Sequence, residues 1–139
     1  MQLSPNFKLE EFLATSRKID NTPPPEDYNA VVANLTKLAT TLLQPIRDKF
    51  GVVFISSGYR SPALNKLVGG AALSDHQTGS AADFKVFGTP LEKVWEWIRD
   101  SDLKLYQVIL ENGGHPVPRW IHIALPRRND NRRMCFKLP

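Results

Sequence analysis

The sequence predicts an α+β fold, a small antiparallel sheet packed with helices. A long apolar stripe at helical spacing fills residues 26–50. Four short apolar or alternating runs follow, at 52–56, 81–86, 105–111 and 119–125. A Gly- and Pro-rich loop, Asn112 to Pro118, joins the last two and suits an antiparallel pair. Helices first, then strands mixed with helices, argue against a doubly wound parallel sheet.

The elements are read in chain order. Residues 1–25 look irregular, with a short helix at Leu9–Leu13. Asn21-Thr22-Pro23-Pro24-Pro25 refuses a helix and reads as a surface connection. Tyr28, Val31, Val32, Leu35, Leu38, Leu42 and Ile46 recur every three to four residues and set the long helix. Pro45 kinks or splits it, and Gly51 stops it. Val52–Ser56 is a short buried strand. Ser61-Pro62 caps and opens a short helix that ends at Gly69-Gly70. Ala81–Val86 is the second strand. Thr89 to Glu92 carries the capping-box pattern and opens a helix with Leu91, Val94, Trp95 and Ile98 on one face.

With 139 residues, 42% hydrophobic and 23% charged, the chain suits one globular domain spanning 1–139. No apolar run approaches the ~20 residues a membrane helix needs, so no stable membrane insertion is expected. Met1 to Pro5 lacks the basic and apolar pattern of a secretory signal. The one cysteine, Cys135, has no partner for a disulfide and reads as a packing residue. The net charge is +4, with Arg127, Arg128, Arg132, Arg133 and Lys137 close together. That cluster is either a patch for an anionic polymer or a solvated tail. No aromatics are interleaved with it, so nucleic acid is not the expected partner. A monomer is expected.

Three side chains suggest chemistry. His76 and Asp83 lie seven apart, with Gly79 and small residues between them that let the backbone turn tightly. In Trp120 to Leu125, alternation puts Ile121, Ile123 and Leu125 on one face and His122 on the other. A polar side chain there needs a partner or an opening. Two histidines and a carboxylate suit one catalytic zinc ion. Three protein ligands leave a position for water, whose pKa zinc lowers to ~7. Singly, each residue reads as an ordinary hydrogen-bonded polar group.

The motifs around them change that reading. Ser74 to Asp83 fits S-x-H-x-x-G-x-A-x-D. It resembles the zinc D-alanyl-D-alanine carboxypeptidases of the Hedgehog/DD-peptidase fold, which include phage endolysins. Ser57-Gly58-Tyr59-Arg60-Ser61, Asn65 to Gly70 and Trp120-Ile121-His122 are similar to further segments of that family. Leu3 to Phe7 and Gln44 to Arg47 look like its compact, phage-associated branch. The resemblance implies that His76, Asp83 and His122 hold zinc and that Arg60 binds substrate and steadies an oxyanion. Ser74 contacts substrate or orients its loop. The substrate implied is a peptide of bacterial peptidoglycan. Synthesis in a host cytoplasm is implied, with action on the wall after release or within a phage particle. Several family members carry a glutamate three residues before the last zinc histidine. Arg119 stands there and cannot accept a proton. Glu111, at the end of the preceding strand, is the favoured substitute base, and His115 in the loop is its rival. The missing glutamate also keeps open a non-catalytic, metal-containing wall-binding or phage assembly module.

Overall fold

The apolar stripe over 26–50 forms one helical rod in three parts. In the computed structural model, which describes residues 1–139, α2 (Pro25–Leu38) runs into a wide π-type turn (Ala39–Leu43) and then α3 (Gln44–Phe50). Pro45 has no N–H to give, and its ring would crowd the carbonyl one turn back. The turn widens instead, with Gln44 N–H bonding the Ala39 carbonyl five residues earlier. Pro45 therefore expands the helix locally rather than splitting it.

Gln44, buried at that joint, ties down the start of the chain. Its Oε1 accepts from Ser4 Oγ at 2.8 Å and Asn6 N at 3.1 Å, and its Nε2 donates to Asn6 Oδ1 at 2.8 Å. Residues 1–8 are accordingly less irregular than the sequence suggests. β1 (Gln2–Ser4) and β2 (Phe7–Lys8) pair antiparallel, ahead of α1 at Leu9–Leu13.

The main sheet takes its strands in the order β3-β4-β6-β5-β7. These are β3 (Val53–Ser57), β4 (Ala81–Val86), β5 (Gln107–Glu111), β6 (Trp120–Ala124) and β7 (Met134–Leu138). The first four pair antiparallel, as expected. β7, which the sequence did not reveal, adds one parallel pair to β5. The α+β class holds, with this mixed edge. The short α4 (Pro62–Leu67) follows β3. Residues on one face of the sheet, among them Phe84, Val86, Val108, Leu110, Ile121 and Ile123, share a core with Val31, Leu35, Leu42 and Ile46 of the long rod and Val94, Trp95 and Ile98 of α5 (Leu91–Asp100). Fully burying such side chains contributes roughly 1.5–3 kcal/mol each. The opposite sheet face is left free for polar residues. No helix is long and apolar enough to cross a membrane.

Two local readings need correction. The capping box at Thr89 does not form, because Pro90 itself occupies the cap with extended backbone, ψ 134°. Thr89 then stands one residue too early to reach the first amides. Four of the five late basic residues are tied to the fold rather than left as a free tail, Arg128 alone having no partner. Arg127 pairs with Asp75, Arg132 with Asp130, and Lys137 with Glu92. Arg133 reaches the end of α5, where its guanidinium donates to the carbonyls of Ile98, Arg99, Ser101 and Leu103 at 2.9–3.1 Å. A cation at a helix C-terminus satisfies orphan carbonyls and opposes the dipole. Arg133→Ala is expected to destabilise the chain by about 1–2 kcal/mol, seen as a lower denaturation midpoint with an unchanged m-value.

Candidate functional site

The polar face of the sheet builds the site by register. Asp83 of β4 stands opposite His122 of β6, and His122 stands opposite Ile109 of β5. Adjacent paired residues project to the same face, so strand pairing alone brings Asp83 and His122 together. His122 Nδ1 lies 2.9 Å from Asp83 Oδ1. His76 arrives from a short 3-10 turn, Asp75–Thr78, that leads into β4. Ser74 starts this turn, its Oγ accepting from His76 N at 3.2 Å. Gly79 ends it at φ +77°, and a Cβ there would come within 2.9 Å of the Val31 carbonyl. Only glycine meets both demands, the left-handed backbone and the close approach to α2.

The turn delivers His76 Nε2 to 3.4 Å from the same Asp83 oxygen. The other ring nitrogen, Nδ1, donates to the Gly58 carbonyl at 2.7 Å, which leaves Nε2 as the lone-pair nitrogen. One donor atom from each of the three residues lies within 4.8 Å of the others. Tetrahedral zinc with bonds of ~2.0 Å sets its ligand atoms about 3.3 Å apart, within the range seen here. Two imidazoles and a carboxylate are also the donors zinc accepts. The residues present fit such an ion.

Asp83 is buried, and its second oxygen, Oδ2, takes Arg60 Nη2 at 3.3 Å. Burial raises the Asp83 carboxyl. The close contacts with the His122 and His76 rings and the attraction of both outweigh it, and hold the group well below the usual carboxylate range. Arg60 is anchored further by Ser57 Oγ at 3.1 Å and by Asn65 Oδ1 at 3.4 Å. The salt bridge that would make Arg60 structural therefore exists. Arg60 also borders the cleft, so the pairing leaves it within reach of whatever the cleft binds.

The cleft has a volume of about 300 Å³ and is open to solvent. The three donors, Arg60, Ser74 and Glu111 all line it. Glu111 pairs with Trp120 in the β5–β6 register, on the same face as His122. Its Oε2 accepts from Trp120 Nε1 at 3.0 Å. Burial, then the Asp83 charge, pushes the Glu111 carboxyl above its ordinary value, partly offset by His122, the Trp120 hydrogen bond and His76. His115 does not join the cluster. It is exposed in the 112–118 loop, where its backbone exchanges hydrogen bonds with Asn112.

A family model described as Peptidase M15 matches residues 5–124. The chain belongs to that peptidase family. No curated protein matches it. The family match spans every residue of the cleft and stops at the end of β6, so residues 125–139 lie beyond it.

That outer segment still touches the site of this M15 peptidase. Arg127 forks onto Asp75, the residue before His76, with Nε–Oδ1 at 3.3 Å and Nη2–Oδ2 at 3.0 Å. The same guanidinium stacks on Tyr106, 4.1 Å from the ring centre. The sequence reading missed this clamp, together with the tryptophan that holds Glu111 and the asparagine that holds Arg60. Trp120 and Asn65 were visible only as motif letters. Arg127→Ala is expected to weaken metal binding by about 3- to 10-fold, with Arg127→Lys recovering part of it. Competition with a chromophoric chelator measures both.

Proposed function

We propose that this M15 peptidase is a zinc enzyme that hydrolyses a peptide bond in bacterial peptidoglycan, as an endolysin-like carboxypeptidase or endopeptidase. The observation that carries the proposal is the convergence of His76 Nε2, Asp83 Oδ1 and His122 Nδ1 in an open cleft beside a carboxylate with one uncommitted oxygen. Those three residues would hold the ion. Zinc bound there supplies Lewis acidity and makes a coordinated water a better nucleophile.

The chain's own residues manage the rest. Glu111 has Oε2 committed to Trp120, so Oε1 is the oxygen that takes a proton from the attacking water. As the new C–O bond forms and the C–N bond breaks, the same oxygen returns that proton to the leaving amine. Arg60 has five N–H donors, three of them held by Ser57, Asn65 and Asp83. The remaining donors stabilise negative charge on the scissile carbonyl oxygen. Ser74 orients the turn that carries His76 and borders the bound peptide. The protein acts as a monomer, made in a bacterial host cytoplasm and reaching the wall after release or within a phage particle.

Purified peptidoglycan, digested and read by mass spectrometry, tests the reading. A chelator should abolish release of peptide fragments, and added zinc should restore it. Loss of the ion should also lower the melting temperature, since a metal that binds only the folded chain stabilises it. Zinc retention with no fragments under any condition would instead favour a non-catalytic wall-binding or assembly module, the reading that Arg119 keeps open.

Glu111→Gln should retain zinc yet lose roughly 100-fold or more in kcat. Without the ion, burial and the Asp83 charge hold the Glu111 carboxyl above its ordinary value; a bound cation opposes this by favouring the ionised form. The base is active only when ionised, so wild-type kcat/KM should rise with pH as Glu111 loses its proton, and that carboxyl limb should be missing in Glu111→Gln. Wild-type turnover by that variant would remove Glu111 from the role of base.

A further inference from the structure

A second groove opens on the far side of Arg60 from the metal cleft. Its volume is about 180 Å³, and its polar lining is Thr15, Ser16, Arg17, Ser56, Ser57 and Arg60. Arg60 borders both spaces. A shallower space continues past Ser56 along β3, an edge strand that pairs only with β4. Glu11 borders that extension, with Oε2 held by the Lys8 amide at 2.7 Å, and does not line the groove beside Arg17.

The wall carrying Arg17 is pinned in place. Asn21, 5% exposed, donates through Nδ2 to the Leu13 carbonyl at 3.2 Å and the Tyr59 carbonyl at 2.8 Å. Its Oδ1 accepts from Ser61 N at 2.7 Å. Tyr59 N donates in turn to the Phe12 carbonyl at 2.8 Å. Residues 14–20 are thus stapled at both ends to the segment that bears Arg60. Within the loop, Thr15 Oγ1 accepts from Arg17 N at 3.1 Å, which fixes the local turn. The Arg17 guanidinium itself has no ion-pair or hydrogen-bond partner, in contrast to Arg60 beside it. The Ser56 hydroxyl is committed to the Asp83 carbonyl at 3.2 Å, whereas Thr15 Oγ1, which accepts from the chain, keeps its own hydrogen free. A held hydroxyl and an uncommitted guanidinium are the donors that read a carboxylate.

We propose that this groove is a carboxylate-recognising subsite for the peptide substrate, with Arg17 as its charge and the hydroxyls of Thr15 and Ser16 as its neutral donors. The proposal rests on the peptidoglycan reading and sharpens it. A wall peptide carries two carboxylates along its backbone that could enter, the α-carboxylate of a γ-linked D-glutamate and the carboxylate at its C-terminus. Regular strand addition on β3 is not required, and alternating chirality would oppose it. What the groove selects is a negative charge at a fixed offset from the scissile bond.

The test uses the zinc-loaded full chain and the peptide L-Ala-γ-D-Glu-L-Lys-D-Ala-D-Ala. The peptide is made in three forms: both acids free, the D-glutamate amidated, and the C-terminus amidated. Arg17 is exposed, so Arg17→Ala and Arg17→Lys should fold normally. Turnover is followed by mass spectrometry, and binding by calorimetry at a temperature where turnover is slow. Arg17→Ala should raise KM for the free acid about 5- to 10-fold with kcat unchanged. Arg17→Lys should recover part of the loss, and added salt should shrink the difference. One amidation should reproduce the Arg17→Ala loss in the wild type and make the two proteins equal, which identifies the carboxylate. Equal KM for wild type and Arg17→Ala on every peptide overturns the subsite while leaving the peptidase reading intact. A wild type that neither binds nor cleaves any of the three overturns both.

Discussion

The site depends on the pairing of β4 with β6 in one register. Asp83 faces His122 across that pair, and everything else is arranged around the resulting contact. A slip of one residue would turn either side chain into the helix-packed core. The core prevents the slip. Phe84 and Ile121 are fully buried on the other face, and moving them outward would cost several kcal/mol of apolar burial. The apolar half of each strand thus holds the chemical half in place.

A carboxylate set among two imidazoles and a guanidinium has all its acceptor capacity directed. Asp83 gives one oxygen to the histidine pair and the other to Arg60. Such a group is poorly suited to moving protons, because its neighbours hold it ionised. Glu111 sits in the contrasting environment, half-buried, beside another negative charge and with a single neutral donor. Two carboxyl groups on one sheet face are driven apart in proton affinity by their surroundings. That divergence fits the roles proposed for them, metal ligand for Asp83 and proton carrier for Glu111.

Legibility in the sequence followed pattern strength. Ile121, Ile123 and Leu125 alternate strongly enough to show both the strand and the face on which His122 lies. The stripe from Tyr28 to Ile46 gave the long rod, but its period runs through the π-type turn unbroken, so only Pro45 marked the joint. β7 was hidden because Met134–Leu138 is half-exposed, without clean alternation, and is held by parallel backbone pairing to β5. The Arg127–Asp75 clamp joins residues 52 apart, and the Asn21 staple reaches 40 residues to Ser61. Single polar contacts at that range leave no periodicity to read. His115 attracted attention as a residue type in a plausible loop, yet nothing in the spacing turned that loop toward the cleft.

Arg119 stands where the family resemblance implies a glutamate, and the β5–β6 hairpin shows where a carboxylate does reach the cleft. The two arms of an antiparallel hairpin present alternate residues to one face, and diagonal neighbours come within reach of long side chains. Glu111 is the diagonal neighbour of His122, because Ile109 stands opposite His122 and Glu111 two residues further on. The register thus carries the Glu111 carboxylate to the cleft from β5, whereas position 119 is out of phase with His122 and lies before β6 begins. Placed on β5, it gains Trp120 as a fixed donor directly across the ladder, and Arg119 is left to start the hairpin through its backbone bond to the Glu111 carbonyl at 2.8 Å. The base proposed for this site therefore comes from the arm whose alternation points a carboxylate at His122, and the other arm contributes the tryptophan that holds it.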